Sequence, residues 1–406
     1  MNTTDKTPAV VLGTGINALS IIRSLGEKGI PIINVVSGLD DYSVRSRYIS
    51  KVQRANLKNG NFTQTMTDIG QSLHEKTVLF PTSDLHVLLI SENRDSLKGF
   101  YSFILPPHNV VELLMNKKLF YEFSLSKGFN VPKTYFTNSW VDIIKVADAI
   151  TFPCIIKPEY HDEFWESSLM TKYGIKVLQA DSKQCYYDLF DRFPIADRPL
   201  IIQEWIEGDD TDVYFCLTYI NKAFETVGAF TGRKIRQYPL LTGSTSLAEG
   251  SVEPIVRDMA LQLLVTAQCT GISSVEFKRS RSSNVFFITE PTVGRVDTQV
   301  GISIQSGIDI PYFYYCEALG DKLTLQRDQH KRITWINEPY DIYSVREYLS
   351  SKKMSIRDLI KSYGGKRAYA LWSLQDPGPF TSFLKDMLTK ALKKVFLSKS
   401  YSFPAS

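Results

Sequence analysis

An apolar run from Ala9 to Leu12, a segment from Asn17 to Lys28 whose apolar residues recur at helical spacing, and a second apolar run from Pro31 to Val36 follow one another directly. Strand, helix and strand in that order predict a βαβ unit, because two parallel strands need a crossover and a helix supplies it. The chain therefore opens on an open, mostly parallel sheet. Thr77 to Phe80 adds a short strand that breaks at Pro81, and Ser83 or Asp84 is placed to cap the helix after it. This first domain is expected to end near Pro106 and Pro107.

The turn of that unit reads Gly13-Thr14-Gly15-Ile16-Asn17-Ala18, a GxGxxA pattern in the strand–turn–helix setting where backbone amides can meet a phosphate. The acidic residue that a dinucleotide site carries at the end of its second strand is missing, since that strand ends Asn34-Val35-Val36-Ser37-Gly38. A tight turn in a structural Rossmann-like domain is the plainer reading.

With 406 residues, 43% of them apolar and 22% charged, the chain has the balance of a globular enzyme. At about 100–200 residues per domain it holds two or three. Lys and Arg (47) exceed Asp and Glu (43) by four, which does not point to a nucleic-acid partner. The five cysteines, Cys154, Cys185, Cys216, Cys269 and Cys316, form no CxxC pair and read as reduced core thiols. MNTTDKTPAVVLG passes from a polar tail straight into a strand, unlike a secretory signal, and no apolar stretch reaches the eighteen or so residues that span a bilayer. A cytoplasmic protein acting on small molecules is the expectation.

Beyond the first domain, a helix around Asn116 to Ser126 ends at Gly128, and the strand Phe152 to Lys157 is closed by Pro158. Strands then predominate to about residue 290, and the last ninety residues look mostly helical. Lys157 closes an otherwise apolar strand, and an ammonium there needs an anionic partner unless it snorkels outward. Leu200 to Gly208 is a strand running into a glycine turn, with late polar residues suited to the edge of a planar base; acidic residues follow it, Asp212 among them. Ser274-Val275-Glu276-Phe277-Lys278 and Val285 to Glu290 read as a β-hairpin. Strict alternation puts Glu276 with Ser274 and Lys278, and Glu290 with Phe286 and Ile288. If those two faces coincide, two carboxylates converge, which suits a hard cation such as Mg²⁺. In GRKIRQYP, the basic group Arg233, Lys234 and Arg236 is either a solvated strand end or a seat for phosphate or a substrate acid group.

Asn116-Lys117 at a helix start, Gly128-Phe129-Asn130-Val131-Pro132, FPCIIKP, IIQEWIEG, SVEFK and ITEP, in this order, resemble the ATP-grasp superfamily, and Phe80 to Asp84 is similar to the end of its pre-ATP-grasp domain. The resemblance covers roughly residues 9–318 and is nearest to carboxylate–amine ligases related to the carbamoyl-phosphate synthase large chain and to D-alanine and D-aspartate ligases. It implies an α/β (α+β) architecture: a Rossmann-like pre-ATP-grasp domain (1–112), a small ATP-grasp lobe (113–200), a large lobe with the Mg-ATP site (201–318) and a mostly helical C-terminal extension (319–406). It implies an ATP- and Mg²⁺-dependent ligase that activates a carboxylate as an acyl phosphate and joins it to an amine, both small molecules, with a homodimer left open.

Carried over by residue, the resemblance makes Lys117 and Lys157 phosphate-binding, Glu204 and Ile206 adenine contacts, Asp212 the ribose contact, and Glu276 and Glu290 the Mg²⁺ ligands. Arg295 would be the catalytic arginine, with Arg233 and Arg236 next in line. The chain departs from the family's E-x-N-P-R arrangement, since Thr292 replaces the third metal ligand and Arg295 sits one residue late. The glycine-rich lid is also absent from His161 to Tyr173. These departures keep a non-catalytic ATP-binding protein in play. An NAD(P)-dependent oxidoreductase built on the glycine turn is the other alternative, but it leaves Lys157, Glu276 and Glu290 unexplained.

Near the C-terminus, Phe380, Phe383, Leu384, Met387, Leu388, Ala391, Leu392, Val395 and Phe396 recur at helical spacing, with Lys385, Lys390, Lys393 and Lys394 mostly on the other side and Lys399 beyond. Such a helix either docks on the protein's own core or lies on an anionic membrane surface.

Overall fold

The computed structural model describes residues 6–58, 60–159, 163–170, 175–325 and 333–400. Contacts divide the chain into two compact units that do not follow chain order: residues 1–104, 311–323 and 369–406 form one, and residues 105–310 and 324–368 the other. Residues 319–406 are thus shared between the two.

The first unit holds a five-stranded parallel sheet of β1 (Ala9–Leu12), β2 (Ile32–Val36), β3 (Ile49–Arg54), β4 (Thr77–Phe80) and β5 (Tyr101–Ser102), in the order β3-β2-β1-β4-β5. β1 and β2 are buried at every position, which is why they read as unbroken apolar runs rather than as alternation. At the glycine turn, Gly13 and Gly15 take φ of 78° and 86°. A Cβ on Gly13 would lie 2.9 Å from Thr82 Oγ1, so the glycine is needed for close approach. The Gly15 amide, which would meet a phosphate in a dinucleotide site, donates instead to Asp41 Oδ1 at 3.2 Å and to Ser43 Oγ at 3.1 Å. The chain thus supplies its own anion at that helix start.

The returning segments are fastened into this unit by polar contacts. Tyr314 donates to the Leu79 carbonyl at 2.7 Å, and Arg23 pairs at 2.9 Å with Asp376, which is fully buried. Of the C-terminal helix Gly378–Ser400, the first turns dock: Phe380 meets Trp372 at 5.1 Å and Phe383 meets Tyr42 at 6.5 Å between ring centroids. Leu388 and Leu392, further along, are exposed, as are Lys385, Lys390 and Lys393. The side chains of Lys394, Val395, Phe396 and Lys399 lie outside the described residues. No helix among the described residues is long and apolar enough to cross a membrane.

The second unit holds two sheets. β6 (Thr134–Thr137), β7 (Cys154–Pro158), β8 (Leu178–Ala180) and β9 (Leu200–Glu204) form an antiparallel sheet in the order β6-β9-β7-β8. β10 (Val213–Ile220), β11 (Thr226–Tyr238), β12 (Ser244–Gly250), β13 (Gly271–Arg279), β14 (Phe286–Val293), β15 (Ile333–Ile336) and β16 (Lys366–Tyr369) form a seven-stranded sheet in the order β14-β13-β10-β11-β12-β15-β16. The last two strands come from the segment expected to be helical. β15 is ITWI, too short to show a period and wholly buried.

Candidate active site

One face of each sheet packs on its own apolar core, and the other faces a shared cleft. In β7, Cys154 and Ile156 enter the core of the smaller sheet, so alternation turns Ile155 and Lys157 into the cleft. In β13, Val275 and Phe277 join the core under the larger sheet while Ser274, Glu276 and Lys278 line the cleft. Strict alternation would carry Glu290 to the core side with Ile288. Instead Glu276 pairs with Glu290 and Phe277 with Ile288, so Thr289 is an extra residue in β14. This bulge flips the strand by one step and brings the two carboxylates to directly opposed positions on the cleft face. The conditional expectation of coinciding faces is met, by a bulge that the alternation did not contain.

The cavity is about 470 Å³ and is lined by Lys117, Lys157, Glu204, Ile206, Glu276, Glu290, Thr292 and Arg295. Lys117 starts the helix Lys117–Ser126, which Asn116 caps through the amides of Lys118 and Leu119. Its ammonium donates to the Glu159 carbonyl at 3.3 Å. Lys157 donates to Gln203 Oε1 at 3.4 Å. Burial brings the Lys157 ammonium down to about 8, with Lys117 and Lys176 acting in the same direction and Glu290 and Glu276 opposing. For Glu276 burial acts to raise the carboxyl, but the Lys234 ammonium at 2.7 Å, with Lys176 and Thr289 acting in the same direction, holds the group below its ordinary value. Arg295 follows Gly294, whose φ of 74° turns the backbone just after β14, and it reaches the cleft despite its late position in the sequence. Among the described residues no three metal-binding side chains converge, so Glu276 and Glu290 stand as a pair.

Three of the expected residues lie elsewhere. Asp212 is engaged by its own chain: it accepts from Arg279 at 2.8 Å, from Arg281 Nε at 2.6 Å and from the Asp209 amide at 2.9 Å, with 2% of its side chain exposed. Arg233 pairs with Glu249 at 2.6 Å outside the cleft. Arg236 is fully buried away from it, 2.8 Å from Asp341, and also donates to Ser362 Oγ at 2.6 Å. The cause is a register shift in β11 between Lys234 and Gln237, where it pairs with β12. Unbroken alternation would put Lys234 and Arg236 on one face; the irregularity sends Arg236 away and brings Gln237 to the cleft beside Lys234.

Glu204 lines the cleft, but its carboxylate accepts from the Lys133 amide at 2.7 Å, so its side chain is tied to the sheet edge. The sequence reading took in Gln203 only as one of the late polar residues of its strand, and passed over Lys176, Asp297, Gln299, the loop Leu241 to Gly243 and the first residues of β12, all of which line the cavity. Gln203 was legible from the alternation of β9. The loop carried no signal, because its place follows from contacts with distant residues. The lid segment 161–173 lies partly outside the described residues, and within it 165–170 forms a single π-helical stretch.

A unit built on a parallel sheet, and a second unit whose two sheets flank a lysine- and carboxylate-lined cleft, have the layout expected of the ATP-grasp fold. No family model matches the chain. Among solved structures, it is similar to the biotin carboxylase domain of the 2-oxoglutarate carboxylase of Hydrogenobacter thermophilus, solved with MgADP, ADP and bicarbonate (13% identity, 80% of this chain and 72% of that one, TM-score 0.61). It is also similar to N5-carboxyaminoimidazole synthetase from Staphylococcus aureus (12% identity, 80% of each chain, TM-score 0.58) and to the L-amino acid ligase of Bacillus licheniformis (11% identity, 78% and 75%, TM-score 0.56). At such identities the likeness is one of fold.

Proposed function

We propose that this protein is an ATP- and Mg²⁺-dependent ligase that phosphorylates a substrate carboxylate and couples the acyl group to an amine, releasing ADP and phosphate. The observation that carries the reading is the directly opposed Glu276–Glu290 pair in a cleft with Lys117, Lys157 and Lys234. The two carboxylates are a donor set that fits Mg²⁺, which takes one or two carboxylates and completes its shell with water and phosphate oxygens. Bound there, the ion would neutralise charge on the transferring phosphoryl group.

The chain's own residues do the rest. Lys117 and Lys157 attract the phosphates, the β9 edge through Ile206 offers backbone groups to the adenine, and Arg295 orients the carboxylate with a planar two-pronged contact. Thr292 and the bond between Glu204 and Lys133 mark where this cleft departs from the family pattern. The structural likenesses support the reading through their nucleotide complexes and their ligase members. Asp41 at the Gly15 amide weighs against the oxidoreductase alternative. The reaction is placed in the cytoplasm, where ATP is available.

Thermal unfolding with ligands tests the class: ATP with Mg²⁺ should raise the midpoint and NAD(H) should not, because a ligand stabilises only the fold that binds it. The reverse result would return the protein to the oxidoreductases. Products equal in mass to acid plus amine minus water, sought after incubation with ATP and pooled metabolites, would then name the substrates.

Lys157 adds a pH signature. In the free protein burial brings its ammonium down to about 8. Phosphate charge beside it favours the protonated form and raises that value in the complex. Nucleotide binding at pH 8.5 should therefore take up a proton, whereas at pH 6.5 Lys157 is protonated in both states and uptake should vanish. Calorimetry in two buffers of different ionisation heat reads this directly. Equal proton uptake at the two pH values would move the phosphate contact away from Lys157.

A further inference from the structure

Lys234 is almost wholly enclosed, with 5% of its side chain exposed, and its ammonium has two acceptors. One is Glu276 Oε2 at 2.7 Å, and the other is Gln237 Oε1 at 3.2 Å. Gln237 is held in turn: its amide donates to Asp210 Oδ1 at 2.7 Å, the oxygen that also accepts from the Leu241 amide at 3.1 Å, and Tyr348 donates to the other Asp210 oxygen. Asp210 is 3% exposed. A buried carboxylate with three neutral donors is a rigid anchor, and it fixes both Gln237 and the cleft loop at Leu241, just before β12. Tyr348 belongs to the helix Glu338–Ser350.

In the free protein, then, an ammonium occupies an oxygen of one of the two carboxylates a divalent cation would need. A metal ion on that carboxylate would sit beside the ammonium, and the two positive charges repel. Glu290, the other carboxylate, acts on the half-buried Lys157. The acidic pair is therefore already balanced by lysines, and no third acid converges on it among the described residues. A divalent cation alone has little to gain here. Nucleotide phosphates change the balance, because they offer the lysines another anion while Gln237 keeps the Lys234 ammonium in place.

Resting on the ligase reading, we propose that Lys234 is a further catalytic residue, the resident counter-ion of Glu276, which exchanges that carboxylate for a nucleotide phosphate. The divalent cation is then taken up together with the nucleotide and not before it. Asp210 and Tyr348 are positioning residues that act through Gln237. By linkage, the cation and the nucleotide each raise the other's affinity.

The test is a titration of the full chain with Mn²⁺ alone, free Mn²⁺ being read by electron paramagnetic resonance, and in parallel the thermal shift given by MgADP. Lys234→Met should bind Mn²⁺ at least roughly tenfold more tightly than the unaltered protein, because an adjacent positive charge is gone. Lys234→Arg, which keeps the charge, should bind it as weakly as the unaltered protein. MgADP protection should fall in Lys234→Met. Tyr348→Phe should leave Mn²⁺ binding unchanged and reduce the MgADP shift, which a purely structural tyrosine would not do. Unchanged or weaker Mn²⁺ binding by Lys234→Met, or none by either protein, overturns the counter-ion role, and a full MgADP shift in Tyr348→Phe overturns the positioning role. If the unaltered protein shows no MgADP shift at all, the ligase reading fails, while the Mn²⁺ arm still judges the counter-ion.

Discussion

Glu290→Gln should lower turnover on the order of a hundredfold, about 3 kcal/mol of transition-state stabilisation, with little change in stability. Glu290 is exposed to the cleft and the swap keeps its volume, so only the charge aimed at the metal is lost. Glu276→Gln should lose as much turnover and also some stability. Among the described residues its carboxylate is the anion in contact with the Lys234 ammonium, and that ammonium would be left enclosed with Gln237 as its remaining acceptor. An unpaired enclosed charge of this kind costs about 2 kcal/mol after discounting for the third of the Glu276 side chain that water reaches. Steady-state kinetics at saturating Mg²⁺, read beside denaturant midpoints, separate the two effects. Near-normal turnover in both variants would remove the metal assignment, and equal stability in both would mean that Lys234 finds another partner.

Arg236→Met should be the most destabilising single change at any charged residue of β11, at about 3–5 kcal/mol, because it leaves the buried Asp341 carboxylate without its cation. Tyr363 also donates to Asp341, but one phenol cannot replace a guanidinium that binds the carboxylate through two nitrogens. The loss should appear as a lower denaturant midpoint, with nucleotide protection retained in the fraction that folds. A stable variant that had lost ligation would return Arg236 to the role of holding a substrate.

These two expectations show what the sequence could and could not reveal. Lys117, at a helix start, came only from the family resemblance, whereas Glu276, Glu290 and Lys157 were legible because each ends or interrupts an apolar pattern. The parallel sheet was legible for the same reason, from β1 and β2. The misplaced residues all sit where alternation breaks or where a partner comes from far away. The extra Thr289 and the shifted register after Lys234 decide which side chains face the cleft, and neither position is itself a glycine or proline. Asp212 looked available for ribose because Arg279 and Arg281, about seventy residues on, cannot be paired with it by local reading. β15 was hidden because a four-residue buried strand has the same composition as one turn of a buried helix, and β16, KRAY, is too short and too polar to show a strand pattern.

The order in which the chain visits its two units also bears on how the protein is made. The seven-stranded sheet takes β15 and β16 from residues 333–369, after the chain has already returned once to the first unit, and that unit in turn takes up residues 369–406. Neither unit can be completed while only its early residues have left the ribosome. Until β15 arrives, β12 presents unpaired backbone groups along a sheet edge, a surface that invites pairing with other nascent chains. A protein threaded in this way should depend on chaperones during synthesis more than its modest length suggests.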